Sequence, residues 1–152
     1  MLMDAENMFS TGQAITGTTK STNVIKFVTP GEFRIGDRTV TSRLPIPAHY
    51  RDLGRGEKIQ LHIQVVEDFV GGDSVQVELI TADNEDLTEN PVTLATTPAI
   101  PVAQLKAGYT FPIESIPIGA TKQFLGLNYV VDGSPTQGKI DAGIVASRQT
   151  SL

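Results

Sequence analysis

Ile59-Gln60-Leu61-His62-Ile63-Gln64-Val65 alternates strictly between apolar and polar residues. Successive side chains of a strand point to opposite faces, so this stretch predicts a strand with one buried and one wetted face. The rhythm returns at Ser74 to Thr81, where Val75, Val77 and Leu79 face inward against Gln76 and Glu78. It returns again at Leu125, Leu127, Tyr129 and Val131, and at Ile140, Ala142, Ile144 and Ala146. One-sided alternation of this kind belongs to antiparallel sheets packed on a core.

Working outward, Ala14 to Thr19, Ser21 to Val28 and Val92 to Thr96 read as further strands, with Met1 to Ser10 as an arm or first edge strand. Tyr109, Phe111 and Ile113 alternate too, although Pro112 restricts that strand to an edge or a bulge. Phe69-Val70-Gly71-Gly72-Asp73 predicts a hairpin between the two clearest strands, and Asp132-Gly133-Ser134-Pro135 predicts another turn. Pro101 to Ala107, just ahead of Gly108, has room for only a helical turn or two. Roughly eight strands with turns every 8–12 residues define an all-β antiparallel sandwich or jelly roll. At 152 residues, with hydrophobic residues at 39% and charged residues at 19%, the chain is expected to form one such domain over residues 1–152.

Composition narrows the chemistry. Without cysteine there is no disulfide framework, thiolate zinc site or cysteine nucleophile. Asp4 and Glu6 near the start, with no positive region or sustained apolar run, argue against a secretory signal. The least charged stretch, Pro91 to Leu105, is too short and proline-broken to span a bilayer. A formal net charge of -5 makes nucleic acid a poor partner. His49 and His62 are the only imidazoles and have no evident orienting partner; no serine occupies a Gly-x-Ser-x-Gly elbow. Asp83, Glu85, Asp86 and Glu89 lack the glycine and bidentate glutamate of a calcium loop, and Gly54-Arg55-Gly56 is too short to cradle phosphate. Neither an enzymatic activity nor a cofactor nor a metal is therefore expected.

The charge is unevenly spread. Arg34, Arg38, Arg43, Arg51 and Arg55 face only Asp37 and Asp52 between positions 34 and 55, whereas residues 59–105 carry no lysine or arginine and many carboxylates. Opposite poles suited to oriented packing are one reading, and solvated loops the other. Thr29 to Gly56 is also the irregular part of the chain, with Pro30-Gly31, Pro45 and Pro47. Within it, Ile35-Gly36-Asp37-Arg38-Thr39-Val40 predicts a tight hairpin. Loops this long in compact domains are usually functional or disordered. Phe33, Ile35, Leu44, Ile46 and Tyr50 intersperse apolar anchors among the arginines, so residues 28–50 are the first candidate for a partner contact; the alternative is that they fold back on the sandwich.

Several segments, in this order, resemble the cement or decoration proteins of tailed bacteriophages. They are Phe9-Ser10-Thr11-Gly12-Gln13-Ala14-Ile15-Thr16, Ser21-Thr22-Asn23-Val24-Ile25 and Arg51-Asp52-Leu53-Gly54-Arg55-Gly56-Glu57. Then come Val77-Glu78-Leu79-Ile80-Thr81-Ala82-Asp83, Thr93-Leu94-Ala95-Thr96-Thr97-Pro98-Ala99-Ile100, Leu105-Lys106-Ala107-Gly108 and Leu125-Gly126-Leu127-Asn128-Tyr129. The resemblance implies a jelly roll and a non-enzymatic homodimer or homotrimer. It also implies attachment to the exterior of the major capsid protein shell of a virion, after synthesis in the host cytoplasm. Residues 28–50 depart from the family pattern, which rewires contacts toward Phe33, Arg34, Ile35, Arg38, Arg43, Leu44 and Tyr50. A carbohydrate-binding or host-attachment sandwich is the competing expectation, weakened by the absence of Trp and the presence of only three Tyr.

Overall fold

Two antiparallel sheets face each other in the computed structural model, which describes residues 7–26, 32–35, 38–41, 59–117 and 122–145, with 32–35 and 38–41 given by their backbone alone. The first sheet has the order β1 (Met8–Ala14), β11 (Gln137–Val145), β6 (Gln60–Val70). Its far edge is completed by residues 105–116, which bond to β6 without forming a regular strand: Phe111 N–H reaches Ile63 O at 2.9 Å and Val65 N–H reaches Tyr109 O at 2.8 Å. Pro112 interrupts that edge, as the sequence requires.

The second sheet runs β2 (Thr19–Lys20), β10 (Phe124–Asp132), β7 (Ser74–Ala82), β8 (Val92–Thr96). Here β3 (Ile25–Lys26) extends the β2 edge, and β9 (Ile100–Pro101) continues the β8 side along β7. The chain changes sheet from β1 to β2, from β6 to β7, from β9 to the edge 105–116 and on to β10, and from β10 to β11, which is the jelly-roll path. A single 3-10 turn at Val102–Gln104 stands where a helical turn is predicted.

The core is the set that alternation selects. Leu61, Ile63 and Val65 from β6, Val75, Val77 and Leu79 from β7, and Leu125, Leu127 and Tyr129 from β10 are all fully buried between the sheets. Ile140 and Ala142 join them, while Ile144 is half-buried and Ala146 lies outside the described residues.

Three expectations fail for physical reasons. Gly71-Gly72-Asp73 does not close a paired hairpin: β6 and β7 belong to different sheets, so the turn carries the chain across the sandwich. Ala14 to Thr19 is not one strand, because pairing with β11 ends at Ala14 and the chain turns toward the other sheet. His62 points to the polar face of β6 but is buried there, with Nε2 3.1 Å from Gln64 Oε1 and Nδ1 lacking a partner among the described residues.

Tyr129 carries the main buried polar contact of the core. Ser10 Oγ donates to Gln13 Oε1 at 2.6 Å, so the Tyr129 hydroxyl, 2.8 Å from Ser10 Oγ, is the donor of that pair. Burial raises the phenol well above its ordinary value, with Asp141 adding to the rise and the Ser10 hydrogen bond opposing it. The phenol of the unfolded chain ionises near pH ~10, whereas the folded one stays neutral beyond that, so stability is retained below pH ~10 and declines above it. The Tyr129→Phe variant should lose stability near neutrality, by about 0.5–1.5 kcal/mol for the lost hydrogen bond to Ser10 Oγ, which keeps its own bond to Gln13, but show a shallower alkaline decline. Urea midpoints at pH 8 and pH 11 check this; identical alkaline losses in both proteins would refute it.

Candidate partner-contact end

All the connections at one end of the sandwich are short. Asp73 N–H bonds Asp132 O at 2.9 Å and Val102 N–H bonds Asp73 O at 3.0 Å. The other end carries the loop 83–91, the connection 117–123 and both roots of the long connection 27–58. Lys26 pairs with Phe124, which pairs with Ala82, and Gln60 opens β6 at the same end. Both roots of the arginine-bearing segment therefore lie at the same end of the sandwich as the acidic loop.

The acidic loop is built around Asn84. Its Oδ1 accepts from Thr88 N–H at 2.8 Å and Glu89 N–H at 3.0 Å, and its Nδ2 donates to Thr88 Oγ1 at 2.8 Å. Asp83 N–H closes the base on Glu89 O at 3.0 Å. The Asp83 carboxylate accepts from Asn90 Nδ2 at 3.0 Å and pairs with Lys122 Nζ at 3.0 Å, and these two contacts, Asn90 first, hold it below the usual carboxylate range.

Leu87 folds back under this frame. It adopts φ 54, a left-handed conformation that costs a non-glycine residue about 1–3 kcal/mol, yet it is only 3% exposed. Its side chain seals a small second core on the outer face of the sheet with Ile80, Ala82, Val24 and Phe124. Gly126 makes room for it: a Cβ there would stand 2.5 Å from Leu87 Cδ1 and 3.0 Å from Val24 Cγ1. Lys20 Nζ donates to Asp86 O and ties the loop to β2. Glu85, Asp86 and Glu89 remain exposed on this clasped loop.

Among the described residues no three His, Cys, Asp or Glu side chains gather to hold a metal ion. The predicted hairpin is present as β4 (Glu32–Ile35) and β5 (Arg38–Thr41), with Ile35 opposite Arg38 and Phe33 opposite Val40. It places Phe33, Arg34, Ile35 and Arg38 on two adjacent strands; Arg43, Leu44 and Tyr50, like His49, lie outside the described residues. Leu87, Gly126 and Lys122 were not singled out from the sequence. A glycine inside the alternating run 125–131 was the available signal, since glycine in a strand marks a close approach.

A family model described as Bbp16 matches residues 9–144, which takes in both sheets and the long connection. The chain belongs to the Bbp16 family. No curated protein matches it. The Bbp16 match begins within β1 and ends within β11, so the family unit coincides with the jelly roll, and the clasped acidic loop and the β4–β5 hairpin fall inside it.

Proposed function

We propose that this Bbp16-family chain is a non-enzymatic structural protein of a phage particle, a cement protein that binds the exterior of the major capsid shell and stabilises it. The match over residues 9–144 carries this reading, because the family name points to a phage protein and the matched span is the whole sandwich. The likeness of its segments to phage decoration proteins supports the finer assignment. Many identical sites on a shell gain avidity, so each contact needs only modest strength. The shell contact is assigned to the segment bearing Phe33, Arg34, Ile35, Arg38, Arg43, Leu44 and Tyr50.

A carbohydrate platform finds less support. Tyr129 is buried in the core, Tyr109 is half-buried in a T-shaped contact with Phe111, ring centroids 5.5 Å apart, and Tyr50 lies outside the described residues, so the described residues offer no exposed tyrosine platform of the kind sugars stack on.

Deleting residues 30–47 tests the proposal. The variant is expected to keep the cooperative unfolding of the sandwich and to lose attachment to purified phage heads in co-sedimentation. Full occupancy of the heads by the deletion variant would overturn the assignment.

A further inference from the structure

A cleft of about 300 Å³ lies between the acidic loop and the connection from β2 to β3. The connection contributes Lys20, Ser21 and Thr22, the loop contributes Glu85 and Asp86, and Val24 with Leu87 supplies the apolar part of the lining. Both sides are fixed before anything binds. Thr22 N–H donates to Gln13 Oε1 at 2.9 Å, Gln13 Nε2 donates to Lys20 O at 2.7 Å and Leu127 N–H donates to Ser21 Oγ at 3.1 Å, so the connection is pinned to β1 and β10. The loop is held by the Asn84 hydrogen bonds and by the buried Leu87, and Lys20 Nζ joins the two sides through Asp86 O. Ligand sites are concave, largely pre-formed and partly apolar, and a volume at the small end of their range suits one long side chain.

The bonds already made show which groups remain for an occupant. Ser21 Oγ is committed to Asn23 O at 2.7 Å and to Leu127 N–H, and Lys20 Nζ to Asp86 O. Glu85 and Asp86 are exposed, and among the described residues neither forms a salt bridge. Two carboxylates against one ammonium leave the lining net negative.

We propose that this cleft receives the side chain of an arginine or lysine on a partner protein, with its methylene stem against Val24 and Leu87 and its cation at the Glu85 and Asp86 carboxylates. Charge complementarity and the mixed lining select this occupant together. Long basic side chains lay an apolar stem along an apolar surface while the head reaches polar groups beyond it, and hydrogen bonds between two charged groups are the strong ones. A neutral aliphatic side chain leaves both carboxylates unanswered, and an anion is repelled by them. The cleft stands without the capsid reading. Where that reading holds, the shell protein supplies the basic side chain, and repetition over the shell makes a weak single contact sufficient.

Titration of the full chain with N-acetyl-arginine amide, followed by backbone amide NMR shifts, tests this. Saturable shifts are expected at residues 20–24 and 84–87, with binding that weakens as salt rises. N-acetyl-norleucine amide, a stem without the cation, and methylguanidinium, a cation without the stem, should each bind at least about tenfold more weakly. The combined Glu85→Gln and Asp86→Gln substitutions should weaken arginine binding at least about fivefold, whereas Glu89→Gln, on the same loop but outside the cleft lining, should leave it unchanged. Absence of saturable shifts, equal binding by either truncated probe, or a Glu89→Gln loss equal to that of the paired substitutions would each overturn the proposal. Attachment to phage heads is read separately: a chain that binds arginine in the cleft and ignores heads sinks the capsid reading alone, and a chain that coats heads while its cleft ignores arginine sinks this one alone.

Discussion

Replacing Gly138 by alanine is expected to remove much of the stability of this protein. Gly138 sits in β11 at φ 145, a conformation that L side chains rarely adopt, and a Cβ there would lie 2.5 Å from Phe69 Cγ and Cδ1. Phe69 is 1% exposed and has nowhere to retreat. Backbone strain of about 1–3 kcal/mol and overpacking of about 1–3 kcal/mol together approach the lower part of the usual 5–15 kcal/mol of folding free energy. Phe69→Ala alone should cost about 3–5 kcal/mol through the void it leaves. In the double variant the new methyl enters that void, so the combined loss should fall short of the sum by at least about 1 kcal/mol. Urea denaturation of the four proteins measures the coupling, and strict additivity would show that the two groups do not collide.

Gly126→Val should act on the loop and leave the sandwich in place. Its side chain would occupy the space of Leu87 Cδ1, forcing Leu87 out of the pocket made by Ile80, Ala82, Val24 and Phe124. Losing the burial of one leucine amounts to about 1.5–3 kcal/mol, partly offset by relief of its left-handed backbone. The expected result is rapid proteolytic cleavage within residues 83–90 while the core tyrosine Tyr129 stays protected. Leu87→Ala should reproduce the loop cleavage. A Gly126→Val protein with an uncleaved loop would mean that the clasp is held by the Asn84 hydrogen bonds alone.

The inward faces of β7 and β10 were legible in the sequence because alternation is a local property: Val75, Val77 and Leu79, or Leu125, Leu127 and Tyr129, need no knowledge of their neighbours to be assigned to one side. The β4–β5 hairpin was legible for the same reason, since Gly36-Asp37 and its flanks act over a few residues. Which strands share a sheet is not local. Gly71-Gly72 supplies positive φ values of 76 whether the chain returns beside itself or crosses to the facing sheet, and the sequence reading chose the wrong alternative. Burial of Leu87 is not local either, because its cover comes from Val24, Ile80, Ala82 and Phe124 on other segments. The charge asymmetry is visible as composition, but that both roots of the arginine-bearing segment lie at the end carrying the acidic loop depends on where β3 ends and β6 begins.

The borders of both sheets share one property. β1 meets β11 through two register shifts, β8 meets β7 through another, β2 and β3 are two residues each, and residues 105–116 touch β6 as scattered bridges around Pro112. A long bare margin would offer hydrogen-bonding groups to any neighbouring molecule. Interrupted margins deny that template, so the folded chain resists zipping edge to edge into amyloid-like ribbons even at high concentration.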